Sequence, residues 1–73
     1  MMKKRSFSIA GHRTSVALET EFWSALEDEA RGRGVSLSIL IRQIDAGRKE
    51  RNLASALRVH VLTRALGMEV RPL

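Results

Sequence analysis

Residues 12–18 show the period-two alternation of a β-strand with one buried face. The face with the larger apolar side chains comprises His12, Thr14, Val16 and Leu18. The opposite face comprises Arg13, Ser15 and Ala17. Residues 6–10 also alternate, but Gly11 interrupts them, and we interpret this segment as an arm or a weak extension. The pattern therefore predicts a single short strand.

The periodicity then changes to that of amphipathic helices. Residues 20–33 carry one apolar stripe, and Gly34 is the expected left-handed capping residue. The stripe comprises Phe22, Trp23, Leu26 and Ala30. Acidic residues are concentrated between positions 19 and 30, and we interpret them mostly as the solvated face of this helix.

Two further helices follow, each introduced by a residue that favours the N-cap position. Ser36 precedes a helix ending near Ala46, and Asn52 precedes a helix over residues 53–66. Both helices carry apolar residues on a second side, which favours burial against two surfaces. Residues 67–73 are expected to form a loose tail.

The chain has 73 residues and no Cys, so one small domain without disulfides is expected. A lone strand is not stable in water, because both of its edges lack hydrogen-bonding partners. The economical solution is a second copy of the chain, whose strand would complete an antiparallel ribbon across a two-fold axis.

The charge is arranged in blocks, with a formal total of +5. Residues 1–18 contain Lys3, Lys4, Arg5 and Arg13 and no acidic residue. Such a basic segment suits a polyanionic partner, because cations near phosphates release condensed counterions. A solubilising tail is the equally weighted alternative from composition alone.

The sequence offers little support for catalysis. His12 and His60 lie in different elements without clustered carboxylates, so we expect neither a metal nor a cofactor, and no enzymatic activity. The longest apolar run has three residues, Ile39 to Ile41, which is far too short for a membrane span. The N-terminal segment is too polar for an export signal, and a cytoplasmic protein is expected.

Two sets of residues resemble a known family. The segments 13–18 (RTSVAL) and 34–38 (GVSLS), with Phe22 and Leu26 between them, resemble ribbon-helix-helix proteins of the MetJ/Arc type. A longer likeness, to a short bacterial subfamily with an added third helix, rests on segments 4–6 (KRS), 10–15 (AGHRTS), 22–23 (FW), 36–38 (SLS), 44–45 (ID) and 52–58 (NLASALR).

The resemblance implies a fold that is mainly α with one short β-strand. It implies an intertwined homodimer whose intermolecular antiparallel ribbon enters the DNA major groove. The expected organisation is a basic N-terminal arm (1–11), a ribbon-helix-helix core (12–47), a third helix (48–66) and a C-terminal tail (67–73).

The resemblance also implies the candidate site. The residues expected to contact bases are Arg13, Ser15 and Ala17. Family members usually carry a polar residue where this chain has Ala17, which reduces the expected polar readout. The residues expected to contact phosphates are Lys3, Lys4 and Arg5 in the arm, and Ser36, Leu37 and Ser38 at a helix N-terminus.

These features predict a homodimeric, sequence-specific protein that binds double-stranded DNA as a transcriptional repressor or autoregulator. The alternative is an antitoxin-like module that uses the third helix to bind a protein partner. The extra apolar side of that helix is also compatible with contacts between dimers bound at adjacent half-sites.

Overall fold

The computed structural model describes residues 1–67, in which a β-hairpin precedes three helices. The elements are β1 (Met2–Ile9), β2 (His12–Glu19), α1 (Thr20–Arg33), α2 (Leu37–Ala46) and α3 (Leu53–Ala65). The predicted tail, residues 67–73, lies outside the described residues except for Gly67.

The two strands pair antiparallel along their whole length, from Met2 opposite Glu19 to Ile9 opposite His12. The turn between them has only two residues, Ala10 at φ 52° and Gly11 at φ 80°. Positive φ at both positions is the condition of the type I′ turn, whose twist matches that of the flanking strands.

The prediction of a single strand is wrong. β1 lies in the segment that the sequence assigns to a basic arm, and it pairs with β2 from within the same chain. The ladder does not need a second copy on that side, so the argument from an unpaired strand no longer supports an intermolecular ribbon. The signal for β1 is present in the sequence, because the alternation of residues 6–9 resumes two residues later at position 12.

The predicted boundaries of α1 and α2 are confirmed, and α3 ends at Ala65, one residue before its predicted end. Ser36 caps α2 by accepting a hydrogen bond from the N–H of Ile39 at 3.2 Å, and Asn52 caps α3 through the N–H of Ser55 at 2.8 Å. Gly34 follows α1 at φ 69°, as predicted for a left-handed cap.

The core lies between the inner face of the hairpin and the three helices. Val16 and Leu18 are buried there, and Thr14 is half-buried, as the alternation predicts. β1 adds Phe7 and Ile9 to the same face. The helices contribute Trp23, Leu26, Ala30, Leu40, Ile41, Leu53 and Leu57, with Phe22 partly buried.

The second apolar sides of α2 and α3 are not buried within the described chain. Ile39, Leu62 and Leu66 are 40%, 55% and 62% exposed. Burial of each helix against two surfaces is therefore only partly achieved by the residues described.

One acidic residue of α1 departs from the predicted solvated face. Glu29 is 2% exposed, and its carboxylate contacts His60 Nε2 at 2.7 Å and Arg33 Nη2 at 2.6 Å. Arg64 Nε lies 3.6 Å away. Neighbouring Asp28 is exposed, as predicted. The buried carboxylate thus joins α1 to α3.

Candidate nucleic-acid interface

The hairpin presents its second face away from the core. Alternation and register place four cross-strand pairs on this face, of which Met2 with Glu19 lies at the open end of the hairpin. The other three are Ser8 with Arg13, Ser6 with Ser15 and Lys4 with Ala17. We call these six residues the outer face. All of them are exposed except Ala17, which is half-buried.

The chemistry of the outer face is polar and cationic. The hydroxyl groups of Ser6 and Ser15 lie 3.1 Å apart, and either can donate the hydrogen bond between them. Within residues 1–67, neither Lys4 nor Arg13 forms an ion pair. Both cations are therefore available to an external anion or acceptor.

The three residues expected to contact bases, Arg13, Ser15 and Ala17, share the outer face. Their placement follows from the burial of Val16 and Leu18 on the opposite side of β2. Sequence reasoning missed Ser6 and Ser8, which lie on the same face because β1 is paired in register with β2.

The three basic residues of the predicted arm are separated by the strand alternation. Lys4 lies on the outer face, whereas Lys3 and Arg5 belong to the opposite face. The Arg5 guanidinium lies 5.2 Å from the centre of the Trp23 ring and 2.5 Å from a carboxylate oxygen of Glu27. Arg5 is therefore engaged inside the fold, whereas Lys3 keeps an exposed side chain.

The N-terminus of α2 presents the other expected phosphate contacts, Ser36, Leu37 and Ser38. Among residues 1–67, the backbone N–H groups of Leu37 and Ser38 have no hydrogen-bond acceptor. The Leu37 side chain packs against the core, so its backbone is the part available to a ligand. Two free N–H groups at a positive helix end suit a phosphate oxygen.

Most of the acidic side chains within residues 1–67 are paired with cations, with Glu21 and Glu50 as the exceptions. Besides Glu27 and Glu29, ion pairs join Asp28 to Arg31, Asp45 to Arg48 and Glu19 to Arg58. At the end of β2, a hydrogen bond from its own backbone N–H and then one from Arg58 lower the pKa of Glu19. By contrast, Lys4 and Arg13 on the outer face have no carboxylate partner within residues 1–67.

Other kinds of site are not formed by the described part of the chain. Within residues 1–67, no three His, Asp or Glu side chains converge in a way that could hold a metal ion. None of the helices described combines the length and the apolarity needed to cross a bilayer.

A hairpin with exposed cations on one face, followed by three helices, is consistent with a ribbon-helix-helix type of fold. A family model described as ribbon-helix-helix domain matches residues 2–65, which include both strands and all three helices. The chain belongs to the ribbon-helix-helix family, which is typical of DNA-binding regulators. No curated protein and no solved structure matches the chain significantly.

Proposed function

We propose that the protein binds double-stranded DNA sequence-specifically and acts as a transcriptional repressor or autoregulator. The main support for this proposal is the outer face, a two-stranded surface whose cations and hydroxyls have no role in the core. A β-ribbon fits the major groove, where base pairs present distinct patterns of donors and acceptors.

On the β2 side, each proposed reader has a different capacity. Arg13 can donate two hydrogen bonds to guanine O6 and N7, and Ser15 can donate or accept. Ala17 can make only apolar contact, for example with a thymine methyl group. The direct readout by β2 therefore depends mainly on Arg13.

Phosphate contacts would fix the ribbon in the groove. The free N–H groups of Leu37 and Ser38 support a clamp at the N-terminus of α2, with the Ser36 side chain committed to capping. Lys3 is a further candidate, because its side chain is exposed.

We further propose that the functional unit is a homodimer. The outer face of one hairpin has only three cross-strand pairs, a small reading surface for a specific interface. A second copy would double that surface and read a palindromic site whose symmetry matches the protein.

The test is selection of bound sequences from random DNA, followed by binding measurements over a series of salt concentrations. Arg13→Ala should weaken binding to the selected site by about 1–3 kcal/mol and relax its base preference. The control is Arg31→Ala, which removes the same charge from α1. Equal affinity losses for the two variants, without a change in preference, would show that Arg13 does not read bases.

A second candidate function is protein interaction through α3, favoured by the exposure of Leu62 and Leu66. This surface could serve an antitoxin-like partner contact or a contact between dimers on DNA. A Leu62→Ser, Leu66→Ser double variant should then lose cooperative binding to adjacent half-sites. Sedimentation at increasing protein concentration, with and without DNA, separates the two roles.

A further inference from the structure

We propose that β1 is a phosphate-binding strand that flanks the base-reading ribbon, and that the dimer contains a four-stranded sheet in the order β1, β2, β2, β1. The two β2 strands, one from each chain, then lie in the groove, and Lys4 of each β1 contacts the DNA backbone beside it. This inference rests on the proposed function, DNA binding as a homodimer, and it assigns a role to the additional strand β1.

The first step is the direction of the backbone groups of β2. The two-residue turn makes Ile9 and His12 a hydrogen-bonded pair, and such pairs recur at every second residue of an antiparallel ladder. The N–H of Thr20 continues this series by donating to the carbonyl oxygen of Met1. The even-numbered residues of β2 therefore direct their backbone groups towards β1.

The odd-numbered residues Arg13, Ser15 and Ala17 direct their backbone groups to the other edge of β2. Among residues 1–67, the N–H and C=O groups of these three residues have no hydrogen-bond partner. The next residue of the series, Glu19, already engages its own N–H through its carboxylate. An antiparallel pairing with β2 of a second copy, centred on Ser15, satisfies all the free groups of the three residues without displacing β1.

The second step is the width of the resulting sheet. Adjacent strands are about 4.7–4.9 Å apart, so the two β2 strands fit side by side in a major groove about 12 Å wide. The two β1 strands would be about 14–15 Å apart, which exceeds the width of the groove. β1 therefore lies over the phosphates at the edges of the groove and not against the bases.

The third step is the chemistry of the exposed side chains of β1. Lys4 is exposed, and within residues 1–67 it forms no ion pair. A lysine ammonium binds phosphate as a point charge, whereas arginine, present at position 13 of the inner strand, can read guanine with two hydrogen bonds. Ser6 and Ser8 add hydroxyl groups that can donate to phosphate oxygens, and β1 contains no acidic residue.

The first experiment repeats the sequence selection and the salt series with full-length Lys4→Ala. This variant should weaken binding to all sequences by a similar factor, and the slope of log K against log salt should fall by about 2, because each chain of the dimer loses one phosphate contact. Lys4→Arg keeps the charge and should retain the slope. The control is Arg31→Ala, which removes a cation that pairs with Asp28 on α1 and should leave the slope unchanged.

The outcomes separate this inference from the proposed function. If the unmodified protein enriches no motif, the proposed function fails and the inference fails with it. If the unmodified protein enriches a motif and Lys4→Ala changes the preferred base, Lys4 reads bases and the inference is overturned. An unchanged slope for Lys4→Ala overturns the inference as well, while DNA binding stands.

A cross-link tests the order of the strands independently of Lys4. The chain has no Cys, and the hydroxyl groups of Ser6 and Ser15 are 3.1 Å apart, so mild oxidation of a Ser6→Cys, Ser15→Cys double variant should lock β1 to β2 within one chain. The oxidised species that runs at monomer mass on a non-reducing denaturing gel should still sediment as a dimer and bind the selected DNA as tightly as its reduced form. If oxidation abolishes the dimer, β1 must leave β2 before a second copy can pair, and the four-stranded order is overturned. A reduced form that sediments as a monomer would instead refute the proposed homodimer.

The single variant Ser15→Cys tests the centre of the pairing between the two chains. A hydrogen-bonded antiparallel pair has Cα atoms about 5.5 Å apart, which is within the range of a disulfide. Mild oxidation should therefore link two chains through position 15 and give a band of dimer mass. Ser8→Cys, on the outer strand and remote from the two-fold axis, is the control and should stay at monomer mass. Equal linking of the two variants would overturn the placement of β1 outside β2.

Discussion

The indole N–H of Trp23 donates a hydrogen bond to the backbone carbonyl oxygen of Lys3 over 2.7 Å. The same ring contacts β1 at two further residues. Its centre is 5.8 Å from that of the Phe7 ring and 5.2 Å from the Arg5 guanidinium. Trp23 thus joins α1 to the edge strand, and through it the hairpin keeps a fixed orientation on the helices.

Trp23→Phe should lower the free energy of unfolding by about 1–3 kcal/mol, because it removes this hydrogen bond and part of a buried ring. Urea unfolding followed by circular dichroism measures the loss. The loss should be local, so hydrogen exchange should quicken more at the amides of β1 than at those of α2. Equal acceleration in both elements would contradict a specific role of Trp23 in holding β1.

The turn of the hairpin provides a stabilising substitution. Ala10 has φ 52°, a left-handed conformation that costs a residue other than glycine about 1–2 kcal/mol. Asn tolerates this region better and is a favoured residue of type I′ turns. Ala10→Asn should therefore raise the free energy of unfolding by about 0.5–1 kcal/mol, seen as a rise of a few degrees in Tm.

The opposite substitution at the neighbouring position is the control for this prediction. Gly11 has φ 80°, so Gly11→Ala should lower Tm. If both variants lowered Tm, the turn would not have the conformation described.

The helix ends are predictable from the sequence because their signals are local. Ser36 and Asn52 each accept a hydrogen bond from an N–H three residues ahead, and Gly34 supplies the left-handed cap. β1 was not predicted, because its turn places Ala rather than the usual Asn or Asp at a position of positive φ. Without a recognised turn, an alternating basic segment resembles an arm.

The candidate site, too, is only partly predictable from local sequence patterns. Strand alternation alone predicts that Arg13 and Ser15 share a face. By contrast, the position of Lys4 on the outer face and the contact of Arg5 with the Trp23 ring depend on the pairing of the two strands. The burial of Glu29 also depends on tertiary structure, because its partner His60 is 31 residues away.

The buried carboxylate of Glu29 provides a test of how much such a group contributes to the stability of the fold. Glu29 is 2% exposed and faces His60 and Arg33. Glu29 Oε2 has no well-aligned hydrogen bond among residues 1–67, so the 2.6 Å approach of Arg33 is chiefly a charge contact. Glu29→Gln removes the buried charge and replaces charge-assisted contacts to His60 and Arg33 by neutral ones, and we expect a loss of about 1.5–3 kcal/mol in urea unfolding.

The matched control is Asp28→Asn, the adjacent acidic position on α1. Asp28 pairs with Arg31, and both side chains are largely exposed, so this change should alter stability by no more than about 0.5 kcal/mol. Similar losses for the two variants would show that burial does not distinguish Glu29.

The pH dependence of the hairpin end can be examined at Glu19. A hydrogen bond from its own backbone N–H, and then that of Arg58 at 3.1 Å, lower the pKa of Glu19 in the folded state. A lowered pKa contributes stability that is present above the unfolded-state pKa and is lost as pH falls through the folded-state pKa. Arg58→Gln should therefore reduce stability at neutral pH and make its decline on acidification less steep.

The direct measurement is NMR titration of the Glu19 carboxyl carbon. In Arg58→Gln the pKa of Glu19 should rise towards its ordinary value but stay below it, because the backbone hydrogen bond, the larger cause, remains. Arg31→Gln, whose side chain pairs with Asp28, should leave the titration of Glu19 unchanged. An unaltered pKa of Glu19 in Arg58→Gln would show that the contact between β2 and α3 does not form in solution.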